Sequence, residues 1–327
     1  MTRGRSNNLR LAAAEADPFV HEGVFYADPA EYLAGTIPFV EAALSAGEPV
    51  LVAAPPANIE LIGSALGAEG GRRGAAGGVR FVDMTVAGRN PGRIIPEVLH
   101  PFVASHADRR VSVVGEPIWP GRSPEEYRTA VRHESLINLV FAGRDASILC
   151  PYDSAGLDPA ALADAGRTHP VLADRDGRRP SGSYLEPATL LATMDGVLPE
   201  PPPAAAEVVF GAADLRSLRH FVRAHAASPG LPTDRILDLV LAVSEVATNS
   251  VQHTSAGTGT LRLWRQDGGV TCEIQDSGHI ADPLAGRLPA SPASVHGRGL
   301  LIVNHLCDLV ELRSGDGNTV VRMHIRA

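Results

Sequence analysis

The sequence predicts an α/β domain with a mostly parallel sheet, followed by a smaller α+β domain. The chain has 327 residues, a length typical of about two domains. From His21 to Cys150, short apolar strands alternate with helices, which indicates a parallel sheet covered by helices on both faces. The prolines within 199–206 favour an extended linker, so we place the first domain at 18–198 and the second at 207–327.

Hydrophobic periodicity and helix-breaking residues place the individual elements. In the first domain, the predicted strands are 23–26, 49–54, 79–83, 110–115 and 146–150, and the predicted helices are 29–46, 57–66, 91–105 and 124–141. The glycine- and arginine-rich stretch 67–78 is predicted to be an exposed loop. In the second domain, we expect strands at 208–210 and 269–275, helices from Asp214, over Thr233–His253 and over 300–306, and a hairpin turn at Gly317 that enters a final strand.

Composition excludes several classes of protein. The residues are 44% hydrophobic with a mean hydropathy of +0.02, which excludes wholesale disorder. The net charge of −8 gives no case for nucleic acid or an anionic membrane surface as a partner. All 29 basic residues are arginine, so this chain has neither a lysine nucleophile nor a phosphate-loop lysine.

The chain also lacks the marks of export. No apolar run approaches the ~18 residues of a membrane span, and the polar segment 1–17 is predicted to be a mobile tail rather than a signal peptide. The cysteines Cys150, Cys272 and Cys307 are isolated and odd in number, which favours inert reduced thiols over a disulfide framework or a metal cluster. We therefore expect a cytoplasmic protein.

Polar residues interrupt the apolar stripe of the helix predicted at 124–141. Glu134 and Asn138 fall on the same face as Val131 and Phe141, at helical spacing. An unpaired carboxylate on such a face would be costly, so both polar side chains need partners.

Two predicted strand ends carry further polar side chains. Glu116 and Trp119 follow one strand, and Cys150, Tyr152 and Asp153 end the next. Open α/β sheets bind ligands at the carboxyl ends of their strands. These residues either line one polar pocket together with the pair on the helix, or Glu134, Asn138 and Tyr152 satisfy one another and nearby backbone groups.

The same residues resemble the MEDS domain, a sensory module of methanogen and methylotroph regulators. The resemblance spans about 17–198 and rests on His21, Gly47-Glu48, Gly115-Glu116-Pro117-Ile118-Trp119, His133-Glu134 through Asn138, Cys150-Pro151-Tyr152-Asp153 and His169-Pro170. It implies a fold similar to the RecA/KaiC type without a working phosphate loop, and no phosphate-loop motif occurs in this sequence. His21 thereby joins the candidate sensory pocket, whose ligand the resemblance does not imply.

The predicted helix Thr233–His253 carries a second polar pair beside an apolar seam. Glu245 and Asn249 are four residues apart, so they lie on one face, one turn apart. Taken alone, this pair could be the polar edge of a core helix. Three later segments change that interpretation. Asp276-Ser277-Gly278 follows a predicted strand, Gly297-Arg298-Gly299-Leu300 opens an apolar helix, and Gly317-Asn318-Thr319-Val320-Val321 is a hairpin turn that enters a final strand.

The order of these motifs resembles the ATP-binding domain shared by gyrase, histidine kinases and anti-sigma-factor serine kinases, called the Bergerat fold, a two-layer α+β sandwich. The resemblance covers about 207–327. It matches Glu245 and Asn249 to the N box, the segment that begins at Asp276 to the first glycine box and the segment that begins at Gly297 to the second. It implies that Glu245 is the catalytic base and that Asn249 binds Mg²⁺. It assigns ATP binding to Asn249, Asp276, Gly278, Gly297 and Gly299, and His253, Arg298, Leu300 and Thr319 complete the predicted nucleotide site.

The residue types suit these roles. The carboxylate of Asp276 accepts hydrogen bonds and so suits the exocyclic amine of adenine, which guanine lacks at that position. The side-chain carbonyl of Asn249 is a hard oxygen ligand of the kind that Mg²⁺ takes. Gly297 and Gly299 precede a helix whose free N–H groups attract phosphate. Glu245 would orient a hydroxyl or a water for attack on the γ-phosphate, and 279–296 would form a lid.

The sequence departs from the family pattern in two ways. Ile280 stands where the first glycine box normally has a second glycine, and the expected lid is short. Nucleotide binding is therefore a firmer expectation than turnover.

No helix pair with a phospho-acceptor histidine is predicted before the second domain, which consequently resembles an anti-sigma factor of the serine-kinase type. That resemblance implies a sigma factor as partner, a STAS-type anti-sigma-factor antagonist as substrate and a homodimer, with no direct contact to nucleic acid or membrane. The alternative is a non-catalytic nucleotide-binding adaptor in a partner-switching pathway.

Overall fold

The computed structural model of the chain describes residues 18–72, 78–175, 177–194, 198–227, 231–266, 268–288, 297–315 and 317–327. The expected tail at 1–17 and the part of the expected lid at 289–296 lie outside the described residues. Within the described ranges, no helix combines the length and the apolar character that a membrane span requires.

The first domain is built on a seven-stranded sheet with the strand order β3-β2-β4-β5-β1-β6-β7. The strands are β1 (Val20–Tyr26), β2 (Val50–Ala54), β3 (Val79–Asp83), β4 (Val111–Gly115), β5 (Ala146–Asp153), β6 (Val171–Asp174) and β7 (Gly177–Pro180). The first six pair in parallel, and β7 pairs antiparallel with β6. The mostly parallel sheet predicted from the alternating pattern is therefore confirmed.

Helices cover both faces of this sheet. Along β2, Leu51 and Ala53 face the core that contains α6, whereas Val50 and Val52 face the core beneath α1 and α2, because successive side chains of a strand point to opposite sides. The helices are α1 (Pro29–Ser45), α2 (Pro56–Arg72), α3 (Met84–Ala87), α4 (Pro91–Arg93), α5 (His100–Ala104), α6 (Pro124–Val140), α7 (Pro159–Thr168) and α8 (Pro187–Met194).

Two expected segments differ from the structure. The stretch 67–72, predicted as part of an exposed loop, is included in α2, which breaks at Gly67 and then resumes. The φ of Gly67 is 63°, a value that glycine adopts without the steric penalty of a Cβ atom, so the helix kinks there instead of ending. The helix expected at 91–105 consists of α4 and α5 joined by a π-helical stretch at Ile94–Leu99.

The second domain has two layers, as the α+β prediction requires. Its five strands are all antiparallel, in the order β11-β12-β10-β9-β8. Helices pack on one face of this sheet and share one hydrophobic core with it. The elements are β8 (Ala206–Gly211), α9 (Leu215–Ala226), α10 (Thr233–His253), β9 (Thr258–Gln266), β10 (Gly269–Asp276), α11 (Gly299–Leu306), β11 (Leu309–Gly315) and β12 (Asn318–Ile325).

The apolar seam of α10 fixes the orientation of the helix on the sheet. Ile236, Leu239, Val243 and Val246 recur at steps of three and four, and all are buried in the core of the second domain. Glu245 lies beside this seam and is only partly buried. Packing of the seam therefore determines where the polar edge of α10 points.

The two domains meet at the carboxyl end of α11. Asn90 donates from Nδ2 to the backbone oxygens of Asn304 and Cys307, at 2.9 and 3.2 Å. Arg93 donates to the same two carbonyls, at 2.9 and 3.0 Å. The last carbonyls of a helix have no partner within it, so these first-domain side chains complete the end of α11. The proposed boundaries of the linker at 199–206 stay a prediction.

Helix α6 makes a second contact between the domains. Arg128 donates to Glu311 of β11 at 3.1 Å, and Glu126 pairs with Arg326 at 2.7 Å. The helix begins in a capping box, in which Ser123 and Glu126 exchange backbone and side-chain hydrogen bonds. The first turns of α6 therefore lie against the second domain, while the rest of the helix covers the first sheet.

Candidate functional site

The motifs of the second domain surround one cavity of about 660 Å³. Among the residues that line it are Asn249, His253, Asp276, Gly278, Gly297, Gly299, Leu300 and Thr319, all of them predicted nucleotide-site residues. Glu245 and Arg298 do not line this cavity, and the side chain of Arg298 is exposed. The structure thus brings most of the predicted site together in one place.

Asp276 ends β10, and its carboxylate is held from two sides. The hydroxyl of Ser250 donates to Oδ2 at 2.5 Å, and the N–H of Gly278 donates to Oδ1 at 2.8 Å. A Cβ atom at position 278 would lie 2.9 Å from Asp276 Oδ1 and 3.0 Å from Thr254 Cγ2, so a larger residue would displace the carboxylate. Asp276 is therefore oriented while its oxygens keep capacity to accept further hydrogen bonds.

Glu245 and Asn249 both approach the second glycine motif. A Cβ atom at Gly299 would lie 3.1 Å from Glu245 Oε2 and 3.2 Å from Asn249 Nδ2. Such distances are tighter than ordinary van der Waals contact, so glycine at 299 allows α10 and α11 to come this close. The two motifs are 50 residues apart in sequence, from position 249 to position 299, yet they form one site.

The start of α11 is suited to an anion. Gly297 has a φ of 95°, which L-amino acids with a Cβ atom rarely adopt. Arg298, at the cap position, makes no side-chain hydrogen bond to the first turn. The first N–H groups of a helix have no partner within it and carry the positive end of the helix dipole, so the first turn of α11 offers N–H donors to a bound anion.

Serine and threonine hydroxyls organise the loop after β10. The N–H of Ile280 donates to Ser314 Oγ at 2.7 Å, and the hydroxyl of Thr319 donates to the backbone oxygen of Gly278 at 3.0 Å. Ile280, which replaces the expected second glycine, lines the cavity as an apolar wall. Sequence reasoning missed Ser250, although its place one turn after Val246 on the buried seam was a usable signal.

The residues of this cavity fit an adenine nucleotide. Its volume of about 660 Å³ lies within the range of ~300–1,000 Å³ that small-molecule sites occupy. Leu300, Val246 and Ile280 supply apolar walls, and Asp276 supplies an oriented acceptor. The glycine-flanked start of α11 lies at the same cavity and supplies donors for phosphate.

The predicted sensory residues of the first domain form two separate polar clusters. The first surrounds Glu116, which is buried just after β4. Tyr26 donates its hydroxyl to Oε1 at 2.9 Å, and Asn58 donates to Oε2 at 2.8 Å. Burial raises the pKa of Glu116 to about 7, although the hydrogen bonds from Asn58 and Tyr26 act in the opposite direction. Sequence reasoning identified neither Tyr26 nor Asn58.

The second cluster surrounds Glu134 of α6. His21 Nε2 lies 3.2 Å and His169 Nε2 lies 3.0 Å from Glu134 Oε2, and Cys150 Sγ lies 3.4 Å from His21 Nε2. Burial would raise the pKa of Glu134, but the contacts with His169 and His21 hold it below its usual range. Burial lowers the pKa of His21 and raises the pKa of the Cys150 thiol.

Asn138 belongs to this second cluster through backbone and histidine contacts. Its Oδ1 lies 3.0 Å from His21 Nδ1, and its Nδ2 donates to the backbone oxygen of Thr168 at 2.9 Å. In the alternative, Glu134, Asn138 and Tyr152 satisfy one another and nearby backbone groups. Asn138 does bond to backbone oxygens, those of Thr168 and Glu134, but no hydrogen bond among the described residues joins these three side chains to one another. Tyr152 instead lies edge-on to the ring of His169, with the centroids 5.5 Å apart.

Trp119 and Asp153 have other contacts. The guanidinium of Arg122 lies over the Trp119 ring, 3.7 Å from its centroid. Asp153 accepts hydrogen bonds from the N–H groups of Ala155 and Gly156, at 3.0 and 2.9 Å, and so shapes the turn after β5. These contacts serve the local structure at the carboxyl edge of the sheet.

A larger cavity of about 1300 Å³ lies between α1 and the strands on the opposite face of the first sheet. Glu22, Glu48, Arg110 and Arg178 are among its lining residues, and none of the predicted sensory residues contributes to it. The larger cavity of the first domain therefore does not coincide with either of the two polar clusters.

Comparisons with known proteins give little whole-chain similarity. No curated protein matches this chain. A solved structure, the crystal structure of the RsbU and RsbW domains of Rv1364c from Mycobacterium tuberculosis, is 18% identical and matches over 38% of this chain, with a TM-score of 0.29. The match spans 32% of the solved chain, and at this TM-score the likeness carries no argument.

Family models, in contrast, match both halves of the chain. The model described as MEthanogen/methylotroph, DcmR Sensory domain, or MEDS, matches residues 20–170. The model described as histidine kinase-like ATPase domain matches residues 210–325. With the parallel sheet of the first half and the antiparallel sheet and cavity of the second, these matches identify the chain as a MEDS sensory domain joined to a histidine kinase-like ATPase domain.

Proposed function

We propose that the protein is a signal-responsive anti-sigma factor and serine-protein kinase. In this proposal the second domain binds Mg-ATP, holds a sigma factor, and phosphorylates a serine of a STAS-type antagonist, under control of the first domain. The observation that carries the proposal is the convergence of Glu245, Asn249 and Gly299 beside the cavity that Asp276 lines. A carboxylate, an amide oxygen and helix N–H groups are the kinds of group that position and neutralise a phosphoryl group, which supports the proposal.

Adenine recognition is assigned to Asp276. Ser250 and Gly278 each donate one hydrogen bond to its carboxylate and hold it at the cavity. A carboxylate oriented in this way can accept from the exocyclic amine of adenine, whereas guanine would present an oxygen there and leave the acceptor unpaired. This arrangement favours ATP over GTP.

Magnesium and phosphate binding are assigned to Asn249 and to the start of α11. Asn249 lines the cavity, and its amide lies beside Gly299, so its carbonyl oxygen can serve as one ligand of a hydrated Mg²⁺ ion. Gly297 and Gly299 let the backbone N–H groups approach phosphate oxygens closely. Bound ATP would supply the phosphoryl group.

Glu245 is assigned to the acceptor serine. It lies beside Asn249 at the second glycine motif but does not line the cavity. From this edge its carboxylate can accept a hydrogen bond from an incoming hydroxyl and orient the oxygen for attack. Phosphoryl transfer depends mainly on positioning of the reacting groups and on neutralisation of the phosphate charge. In this proposal Glu245 positions the acceptor hydroxyl, and the Mg²⁺ ion held by Asn249 and the N–H groups of α11 neutralise the charge.

Contacts between the domains support regulation of the nucleotide site by the first domain. Leu284 and Leu288 line the cavity and also pack against the core of the first domain. Arg287, between them, is buried, and its Nη1 has no hydrogen-bond partner among the described residues. Burial, together with the neighbouring Arg132, lowers the pKa of Arg287 to about 9. The segment 281–288 is thus docked on the first domain, although the buried charge of Arg287 disfavours this docking.

One observation favours the alternative of a non-catalytic adaptor. Ile280 adds a side chain to the cavity wall at the position where a second glycine is expected, and its backbone N–H already donates to Ser314. An adaptor would bind nucleotide, or only its regulatory partner, without transferring phosphate. Direct measurement of transfer separates the two functions.

Substitution of Asp276 by Asn tests the base assignment. We expect Asp276→Asn to weaken ATP binding by about 1.5–3 kcal/mol, the scale of a hydrogen bond to a charged group. Calorimetric titration with ATP and with GTP measures this change. The control is Asp282→Asn, an exposed carboxylate that lines the same cavity and should leave the affinity nearly unchanged. Equal affinity of the wild type for ATP and GTP would contradict the assignment.

Substitution of Glu245 by Gln tests the catalytic assignment. The amide keeps the shape of the carboxylate but is uncharged and cannot take up a proton, so we expect transfer to a purified STAS-type antagonist to fall by roughly 10²–10⁴-fold while Mg-ATP binding persists. Transfer is measured with radiolabelled ATP, and Glu60→Gln on the exposed surface of α2 serves as the matched control. Unchanged transfer by Glu245→Gln would refute the role of this residue. Nucleotide binding by the wild type without transfer to any antagonist would favour the adaptor.

Substitution of Arg287 by Met tests the docking of the segment. Methionine keeps an apolar stem and removes the buried charge beside Arg132, so docking should strengthen. We expect slower hydrogen exchange of the backbone N–H groups of 281–288, measured by mass spectrometry. Arg298→Met removes an exposed guanidinium and should leave exchange unchanged in that segment. Faster exchange in Arg287→Met would mean that the guanidinium holds the segment in place.

A further inference from the structure

Four buried side chains from separate parts of the first domain converge on one point. They are His21 of β1, Glu134 of α6, Cys150 of β5 and His169, which follows α7. Each is at most 2% exposed. One side-chain donor atom from each of the four lies within 4.8 Å of the other three. Two imidazoles, a carboxylate and a thiol therefore share a small volume in the apolar core of the domain.

The hydrogen bonds of the two imidazoles fix which nitrogen faces this point. His21 Nδ1 lies 3.0 Å from Asn138 Oδ1, and His169 Nδ1 lies 2.9 Å from the backbone oxygen of Ala165. Asn138 uses its Nδ2 to donate to Thr168 O, so its Oδ1 is the atom that accepts from His21. Carbonyl oxygens only accept, so each Nδ1 carries a proton. The Thr168 hydroxyl, 2.9 Å from His169 Nδ1, donates to Asp164 O and so can accept from the same N–H. In a neutral ring, Nε2 then turns a lone pair inward.

With both rings neutral, the Cys150 thiol is the one proton donor among the four inward-facing atoms, 3.4 Å from His21 Nε2, and the other three are electron-pair donors. Both Nε2 atoms lie within 3.2 Å of Glu134 Oε2, yet neither oxygen of Glu134 has a hydrogen bond of good geometry with any described residue. His169 Nε2 likewise has none within the described part of the chain. A buried carboxylate needs a positive partner, which here is either a proton on one of the imidazoles or a metal ion that takes the lone pairs of both rings. The four side chains together offer the donor atoms that a single metal ion takes.

We propose that His21, Glu134, Cys150 and His169 bind one divalent transition-metal ion of the zinc class. Imidazole nitrogen, carboxylate oxygen and thiolate sulfur are the usual ligands of zinc, and four protein ligands complete a tetrahedral site. Around a tetrahedral zinc ion, such donor atoms lie about 3.3–3.6 Å apart. Three of the six separations between the donor atoms, at 3.0, 3.2 and 3.4 Å, are close to this spacing, and all six lie within 4.8 Å.

The charge and the surroundings suit a metal ion as well. With the thiolate and the carboxylate ionised and both imidazoles neutral, a divalent ion makes the buried site neutral overall, which an apolar core tolerates. Asn138 and the backbone of Ala165 orient the two imidazoles, as outer hydrogen bonds do in metalloproteins. Four protein ligands leave no open coordination position, which is typical of a structural metal site.

The proposed metal would join four segments of the first domain: β1, α6, β5 and the end of α7. β1 and β5 are adjacent parallel strands, and α6 packs across them. The ion would fasten α6 to both strands at Glu134, two turns from the residues of the helix that contact the second domain. The site is independent of the nucleotide cavity, so its test does not depend on ATP binding.

The test is the metal content and the visible spectrum of the full-length protein. Because the site is buried, the ion has to be acquired as the chain folds, so the protein is expressed in medium supplemented with Zn²⁺ or with Co²⁺. We expect one equivalent of metal per chain by elemental analysis. The Co²⁺ protein should show a thiolate-to-cobalt charge-transfer band and the intense visible bands of a tetrahedral ion.

Variants locate the ion. The Cys272→Ser/Cys307→Ser protein keeps Cys150 as its one thiol and should retain the metal and the charge-transfer band. Cys150→Ser should lose the band and most of the metal, and Asn138→Ala should lower the metal affinity by about 10–100-fold. Wild-type protein without metal from either medium would overturn the proposal and leave a proton shared between the histidines and Glu134. Metal bound to Cys150→Ser with an unchanged spectrum would also overturn it. If Cys150→Ser does not fold, loss of the band in the protein that retains only Cys150 serves as the contradicting result.

Discussion

Burial of α6 between the first sheet and the second domain is the constraint on which most of this molecule depends. Its first turns contact the second domain through Glu126 and Arg128, and its middle carries Glu134 into the core of the first domain. Backbone hydrogen bonds hold these positions at fixed spacing along the helix, so the two contacts cannot be displaced independently. The buried polar residues of α6 are tolerated because both the first turns and the middle of the helix meet polar partners: the second domain at the first turns and the histidines of the first domain at Glu134.

In the second domain, burial of α10 likewise fixes the positions of its polar side chains. Its apolar seam packs on the antiparallel sheet and so turns Asn249 toward the cavity, while Ser250 on the buried side holds Asp276 at the end of β10. Glycine at 299 then allows α11 to approach the polar edge of α10 closely. The first domain bonds to the other end of α11 through Asn90. The helix that begins at the nucleotide cavity therefore ends at the interface between the domains.

Local sequence patterns predicted the helices and strands well where the hydrophobic periodicity extended over several turns. The helix Thr233–His253 has the predicted bounds because its apolar seam persists over five turns and more. The segment 159–194 received no predicted elements, although it contains α7, β6, β7 and α8, all of them short. Gly67 was interpreted as the start of a loop because glycine breaks many helices, whereas here the helix resumes after it.

For the candidate sites, the sequence likewise predicted local relationships better than contacts between distant segments. Spacing along one helix was enough to place Glu245 beside Asn249, and Glu134 beside Asn138. Contacts between distant segments could not be predicted in this way, because no local pattern encodes them. One of the two interpretations left open by the sequence put Glu116 and Glu134 in one pocket, but they occupy separate clusters, since β4 directs Glu116 to Asn58 while α6 directs Glu134 to His169. The geometry of the fold decides such partners.

Calorimetric titration of Mg-ATP into the full-length protein tests the central claim most directly, with Asn249→Ala as the paired variant. The account predicts saturable binding of one nucleotide per chain by the wild type. It predicts strongly weakened binding by Asn249→Ala, because the amide oxygen is the side-chain ligand assigned to the metal beside the phosphates. Absence of binding by the wild type, or equal binding by both proteins, would contradict the assignment of this cavity as a Mg-ATP site.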